Sequence, residues 1–215
     1  MDSKYLIFFI FLLTYLESPN LYSECNRGRK AENGDWVTYS IYSGKEKMEL
    51  KLAIVGEEKE GDEKAIWFEL LVRTRELDYI IKRLIVGDPI KPDRVIRQIV
   101  KVVNKNRPEY SPAIEVPVDH SDKVDDTLKS FPCFDEIGEK IQYKLGKKKI
   151  DAYIAKGEGE TKPTIIFSEE IPFFGIVKIE SKQSKIDLLN MGRNASTEIT
   201  EEPIRLMIQD DNKIK

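Results

Sequence analysis

Between Met48 and Val55 the chain reads M-E-L-K-L-A-I-V, with Met48, Leu50, Leu52 and Ile54 at every second position and Glu49 and Lys51 between them. Successive side chains of a strand point to opposite faces, so this spacing dictates a strand with one face buried and one in water. A half-buried strand is unstable alone and commits its neighbours to a sheet. The neighbours comply. Trp36 to Ser43 (W-V-T-Y-S-I-Y-S) is dense in β-branched and aromatic residues and reads as the first strand. Gly56 to Lys64 is a charged hairpin tip, and Ala65 to Thr74 returns with Ile66, Phe68, Leu70 and Val72 on one side.

Two further runs carry both periods. Leu77, Ile80, Ile81, Leu84 and Ile85 fit a helical stripe, yet residues 79–86 and 94–103 also make acceptable strands. Their valine and isoleucine content, and the prolines at 89 and 92 between them, favour strand for both. Asn104 to Pro117 holds Pro108, Pro112 and Pro117 and is an extended edge or loop. Asp119 to Phe131 is the helix candidate: Val124, Leu128 and Phe131 share a face, Ser121 or Asp122 caps its start, and Pro132 ends it. Glu139 to Leu145 and Lys149 to Ala155 form a hairpin about Gly146-Lys147. Thr164 to Glu180 then gives strand, bend and strand around E-E-I-P-F-F-G, too apolar for a surface loop. Lys185 to Asn190 and Ile204 to Ile208 close the series. The reading is a mainly β fold: a single antiparallel sheet of about ten strands with one short helix and no βαβ rhythm.

The N-terminus predicts export. Met1-Asp2-Ser3-Lys4 precedes the apolar run Tyr5 to Leu16, too short for the roughly 20 residues of a spanning helix and matching the core of a secretory signal. Cleavage after Ser23 would remove residues 1–23, leaving residues 24–35 as a polar tether, 36–209 as one β domain and 210–215 as a polar tail. With 35 basic and 38 acidic residues intermixed along the chain, the near-balance argues against a nucleic-acid partner. Outside the cytoplasm Cys25 and Cys133 could form a bridge. Cys25 also lies where an acyl anchor would be attached, although Glu24 fits that signal badly.

The order of pieces resembles a known group. A signal peptide, a G-D-W-V-T-Y opening strand and long hairpins come first. E-V-P (Glu115 to Pro117), I-I-F-S-E-E-I-P-F-F-G-I-V-K (Ile165 to Lys178) and L-L-N-M-G (Leu188 to Gly192) follow. This is similar to bacterial envelope proteins that resemble the lipoprotein-localisation superfamily of periplasmic lipoprotein carriers and outer-membrane receptors. The resemblance implies a strongly curved antiparallel sheet, an unclosed half-barrel, holding acyl chains between the sheet and a helical plug. Phe167 stands where the group usually has tryptophan, and no ligand-contacting residue of the carriers transfers to a position here.

The residues deny most chemistry. His120 is the only histidine and sits in the polar D-H-S-D loop, where capping accounts for it. Cys25 and Cys133 have no metal-ligand spacing, and Asp119, Asp122, Asp125 and Asp126 lack the spacing of a calcium loop. The expectation is a non-enzymatic protein without metal or cofactor. Trp36, Trp67, Phe173 and Phe174 either line a groove for a lipid, an acylated protein or another apolar ligand, or fill the core. Lys144, Lys147, Lys148 and Lys149 are candidates for a membrane-surface contact. The alternative is an assembly module that contacts another envelope protein and has no ligand cavity.

Overall fold

The computed structural model describes residues 28–44, 46–90, 92–118, 138–156, 163–182 and 184–205. The candidate helix Asp119 to Phe131, His120, Cys25, Cys133 and the apolar run Tyr5 to Leu16 lie outside these residues.

One open sheet of twelve strands forms the fold. In chain order they are β1 (Trp36–Ser43), β2 (Glu46–Glu60), β3 (Glu63–Arg73), β4 (Leu77–Gly87), β5 (Pro92–Asn104) and β6 (Ile114–Val116). Then come β7 (Lys140–Leu145), β8 (Lys148–Lys156), β9 (Thr164–Phe167), β10 (Ile176–Glu180), β11 (Ser184–Gly192) and β12 (Ile204–Arg205). A 3-10 turn, Pro108–Tyr110, is the only helical element among the described residues. The spatial order is β12-β6-β5-β4-β3-β2-β1-β11-β10-β9-β8-β7. Each pairing is antiparallel except β12 with β6, which is parallel.

The mainly β reading thus holds, with twelve strands where about ten were expected. The two ambiguous runs are strands β4 and β5. The expected charged tip at Gly56 to Lys64 is mostly ladder, because β2 runs on to Glu60 and the turn is Gly61-Asp62. Open sheets this wide rarely stay flat. Irregularities at Thr38/Tyr39, Ile54/Gly56, Leu84/Ile85 and Ile176/Lys178 add twist and bend.

The two faces have different covers. The inner face carries Val37, Tyr39, Leu50, Leu52, Ile54, Phe68 and Val72, and the β9–β10 loop (residues 168–175) folds over it, with Phe173 against Phe68 at 5.8 Å between ring centroids. The outer face carries Ala65, Trp67, Leu71, Ile80, Leu84 and Ile99. The segment after β11 covers it like a strap. Ala195 N–H donates to the Gly34 carbonyl, Lys51 meets Glu198, Ile199 packs in the outer core, and Lys101 meets Glu201 before Ile204 pairs with Ile114.

The segment before β1, expected as a tether, is part of the fold over residues 28–35. Arg29 N–H donates to the Ile171 carbonyl at 2.9 Å, and Asp35 and Ile54 are joined through backbone at 2.9 Å. Gly28 is there because a Cβ would stand 2.2 Å from the Phe173 carbonyl oxygen and 2.5 Å from the Gly175 nitrogen.

Candidate functional site

Registers place whole rows of side chains on the inner face. Leu52 pairs with Leu70, Leu70 with Ile81, Ile81 with Val100, Val100 with Ile114 and Ile114 with Ile204. A parallel row runs Leu50, Val72, Tyr79, Val102. Each follows from the period-two alternation of its own strand, brought level by the hairpins.

Exposure rises along both rows. Leu52 is fully buried, the residues of β4 and β5 are half-buried, and Ile204 at the open edge is 56% exposed. In the second row Leu50 and Val72 are buried and Val102 is 42% exposed. The two rows hold no charged side chain. A third row, Ile54, Phe68, Arg83, Gln98, Val116, bounds them on one side, with Arg83 Nε donating to Gln98 Oε1 at 2.6 Å. The arrangement is an apolar strip that leaves the core and continues to the sheet edge, chemically suited to alkyl groups.

The other half of the inner face is filled. Ile171, Phe173 and Phe174 of the β9–β10 loop are buried, and Phe173 takes φ +65°, a conformation costly for a residue with a Cβ. The loop is fixed from two directions: Ser168 Oγ donates to the Asp151 carbonyl at 2.6 Å, and Arg29 N–H reaches Ile171. Tyr39 is also enclosed here. Among the described residues its hydroxyl meets no hydrogen-bond partner, and burial pushes the phenol far above its ordinary value.

The four expected lining residues are not brought together. Phe173 and Phe174 are in the inner core, whereas Trp36 and Trp67 sit on the outer face. Trp67 donates from Nε1 to Glu58 at 2.7 Å, with Lys82 Nζ 4.8 Å from its ring centroid and the Arg97 guanidinium 5.4 Å away. Trp36 donates to the Arg193 carbonyl at 3.2 Å. Both indoles therefore belong to the strap side. Cys25 and Cys133 lie outside the described residues.

Two carboxylates organise the covers. Glu69 is buried on the outer face, accepting from Thr197 Oγ1 at 2.5 Å and from the Glu198 N–H at 3.0 Å. Its burial raises its pKa in spite of these donors. Asp35 is buried too. Burial alone would push its pKa up, but Arg29 at 2.8 Å, with the Glu32 N–H at 2.7 Å, outweighs that and holds it low.

Sequence reasoning passed over the Tyr79, Ile81, Val100, Val102 and Ile114 strip, although the alternation in β4 and β5 contains it. It also passed over Glu69, whose signal was an acid inside the otherwise apolar A-I-W-F-E-L-L-V. Among the described residues no three His, Cys, Asp or Glu side chains gather to hold a metal ion. No protein-family model, curated protein or solved structure matches this chain.

Proposed function

We propose that this chain is an exported, non-enzymatic protein of a bacterial envelope that binds a lipid or an acylated protein along the inner face of its sheet. The observation that carries the reading is the uncharged strip from Leu70 to Ile204, which grows more exposed toward the edge. Those five strands cover roughly 19 Å at ~4.8 Å per step. That is close to the depth of one leaflet of acyl chain, half of a hydrocarbon core about 30 Å thick. Burial of alkyl chain yields ~0.8 kcal/mol per methylene, so about fifteen methylenes yield roughly 12 kcal/mol against the cost of immobilisation. No catalytic group takes part. The apolar run Tyr5 to Leu16 supports export.

A fluorescent fatty acid titrated into the chain from Glu24 onward, as export leaves it, tests this. Binding is expected, and Val102→Glu, at a site already 42% exposed and so tolerant of charge, weakens it at least about tenfold. No binding, or equal binding by the variant, refutes the reading. A second reading, an assembly module without a ligand, is favoured by the filled half of the inner face under Phe173. Native mass spectrometry of protein purified from its own envelope separates the two: co-purifying lipid supports the first and co-purifying protein the second.

A further inference from the structure

The β7–β8 hairpin carries Lys140, Lys144, Lys147, Lys148 and Lys149, and the structure divides them. Lys140 pairs with Asp151 at 2.7 Å and Lys148 with Glu170 at 3.0 Å. Asp151 also accepts from Gln142, and Glu170 from the Asp151 N–H at 3.2 Å, so these two carboxylates are already engaged. Lys144 and Lys149 stand directly opposite each other across the ladder, with Lys147 in the turn between their strands. All three are exposed, and none has an acidic partner among the described residues.

Like charges set opposite one another on a strand pair repel, so a hairpin shaped by its own stability would interleave the signs. Gly146 turns the chain at φ +59°, and among the described residues nothing outside the turn lies within 4 Å of where its Cβ would be. Loop 168–175 connects the tip to the start of the domain: Glu170 contacts Lys148, while Gly28 packs against the Phe173 carbonyl of the same loop.

We propose that Lys144, Lys147 and Lys149 form a docking tip for a membrane surface rich in anionic headgroups. Three clustered positive charges on a chain of net charge −3 suit the shallow potential of such a surface, whereas a nucleic acid needs a broad basic face. The tip is remote in the strand order from the β3–β6 strip, so it stands whether or not the strip holds lipid.

The test is sedimentation of the chain from Glu24 onward, as export leaves it, with vesicles of phosphatidylcholine containing about 30% phosphatidylglycerol, beside vesicles of phosphatidylcholine alone, at about 50 mM salt. Each lysine near an anionic surface strengthens binding about fivefold, so the triple variant Lys144→Gln, Lys147→Gln, Lys149→Gln is expected to bind anionic vesicles about 100-fold more weakly. The control Lys30→Gln, Lys59→Gln, Lys182→Gln changes net charge equally at exposed positions and is expected to retain most of the affinity. Salt at about 500 mM is expected to release the unaltered chain from anionic vesicles. Equal loss in the two triple variants overturns the proposal. So does equal binding of the unaltered chain to both vesicle types, or salt-independent binding, neither of which depends on how a variant folds.

Discussion

Glu69→Ala tests whether one buried carboxylate fastens the strap across the outer face. Glu69 accepts from the Thr197 hydroxyl at 2.5 Å and from the Glu198 N–H at 3.0 Å and 3.3 Å through its two oxygens. Without it the Thr197 hydroxyl still reaches the Ile199 carbonyl at 3.3 Å, so the Glu198 N–H is the donor left without a partner. An unsatisfied donor costs roughly 1–3 kcal/mol, and the lost charged bond to Thr197 adds up to about 1. Against this, burial disfavours the ionised carboxylate, and its removal returns part of that cost. A net loss of about 2 kcal/mol results, localised in the strap. Hydrogen exchange at the Glu198 amide is then expected to quicken about 30-fold. The two tryptophans add an optical readout. Trp36 bonds to Arg193 where the strap begins, and Trp67 shares the outer core with Ile199, so emission should shift to the red. A Glu198 amide as protected as before, with urea stability within about 0.5 kcal/mol of the unaltered chain, would refute this anchoring role.

Gly28→Ala is expected to lower stability by at least about 2 kcal/mol, because its Cβ would meet backbone atoms at 2.2 and 2.5 Å that cannot yield separately; urea denaturation measures it. Phe173→Ala removes a buried ring from the inner core and should cost roughly 3–5 kcal/mol by the same measurement. Arg29→Met leaves Asp35 without its nearest cation and should cost about 2 kcal/mol at neutral pH, less than a fully enclosed pair because Arg29 remains partly in water. The folded-state pKa of Asp35 lies below its ordinary value, so its contribution is present above the ordinary carboxylate pKa and is lost as pH falls through the depressed one. Thermal melts from neutral to strongly acidic pH should therefore show the variant and the parent converging at the acid end.

Local sequence determined the strands. Met48, Leu50, Leu52 and Ile54 could alternate with charge only as a half-buried strand, and turn glycines such as Gly146 fixed where hairpins reverse, since φ +59° there carries no Cβ penalty. Even the ambiguous β4 and β5 were legible from their β-branched content. The covers of the sheet were not. Loop 168–175 was visible as an apolar bend, but its seat on Phe68 depends on strands that lie apart in sequence. Asn194 to Pro203 carries no periodic signal of its own, yet it lies across the outer face because Glu69, Lys51 and Lys101 hold it there. Trp36 and Trp67 looked equivalent to Phe173 and Phe174 as lining residues, and strand parity set them on the opposite face. Periodicity reports which side of its own strand a residue occupies. Which element then covers that side is decided by long-range closure, and only the assembled sheet supplies it.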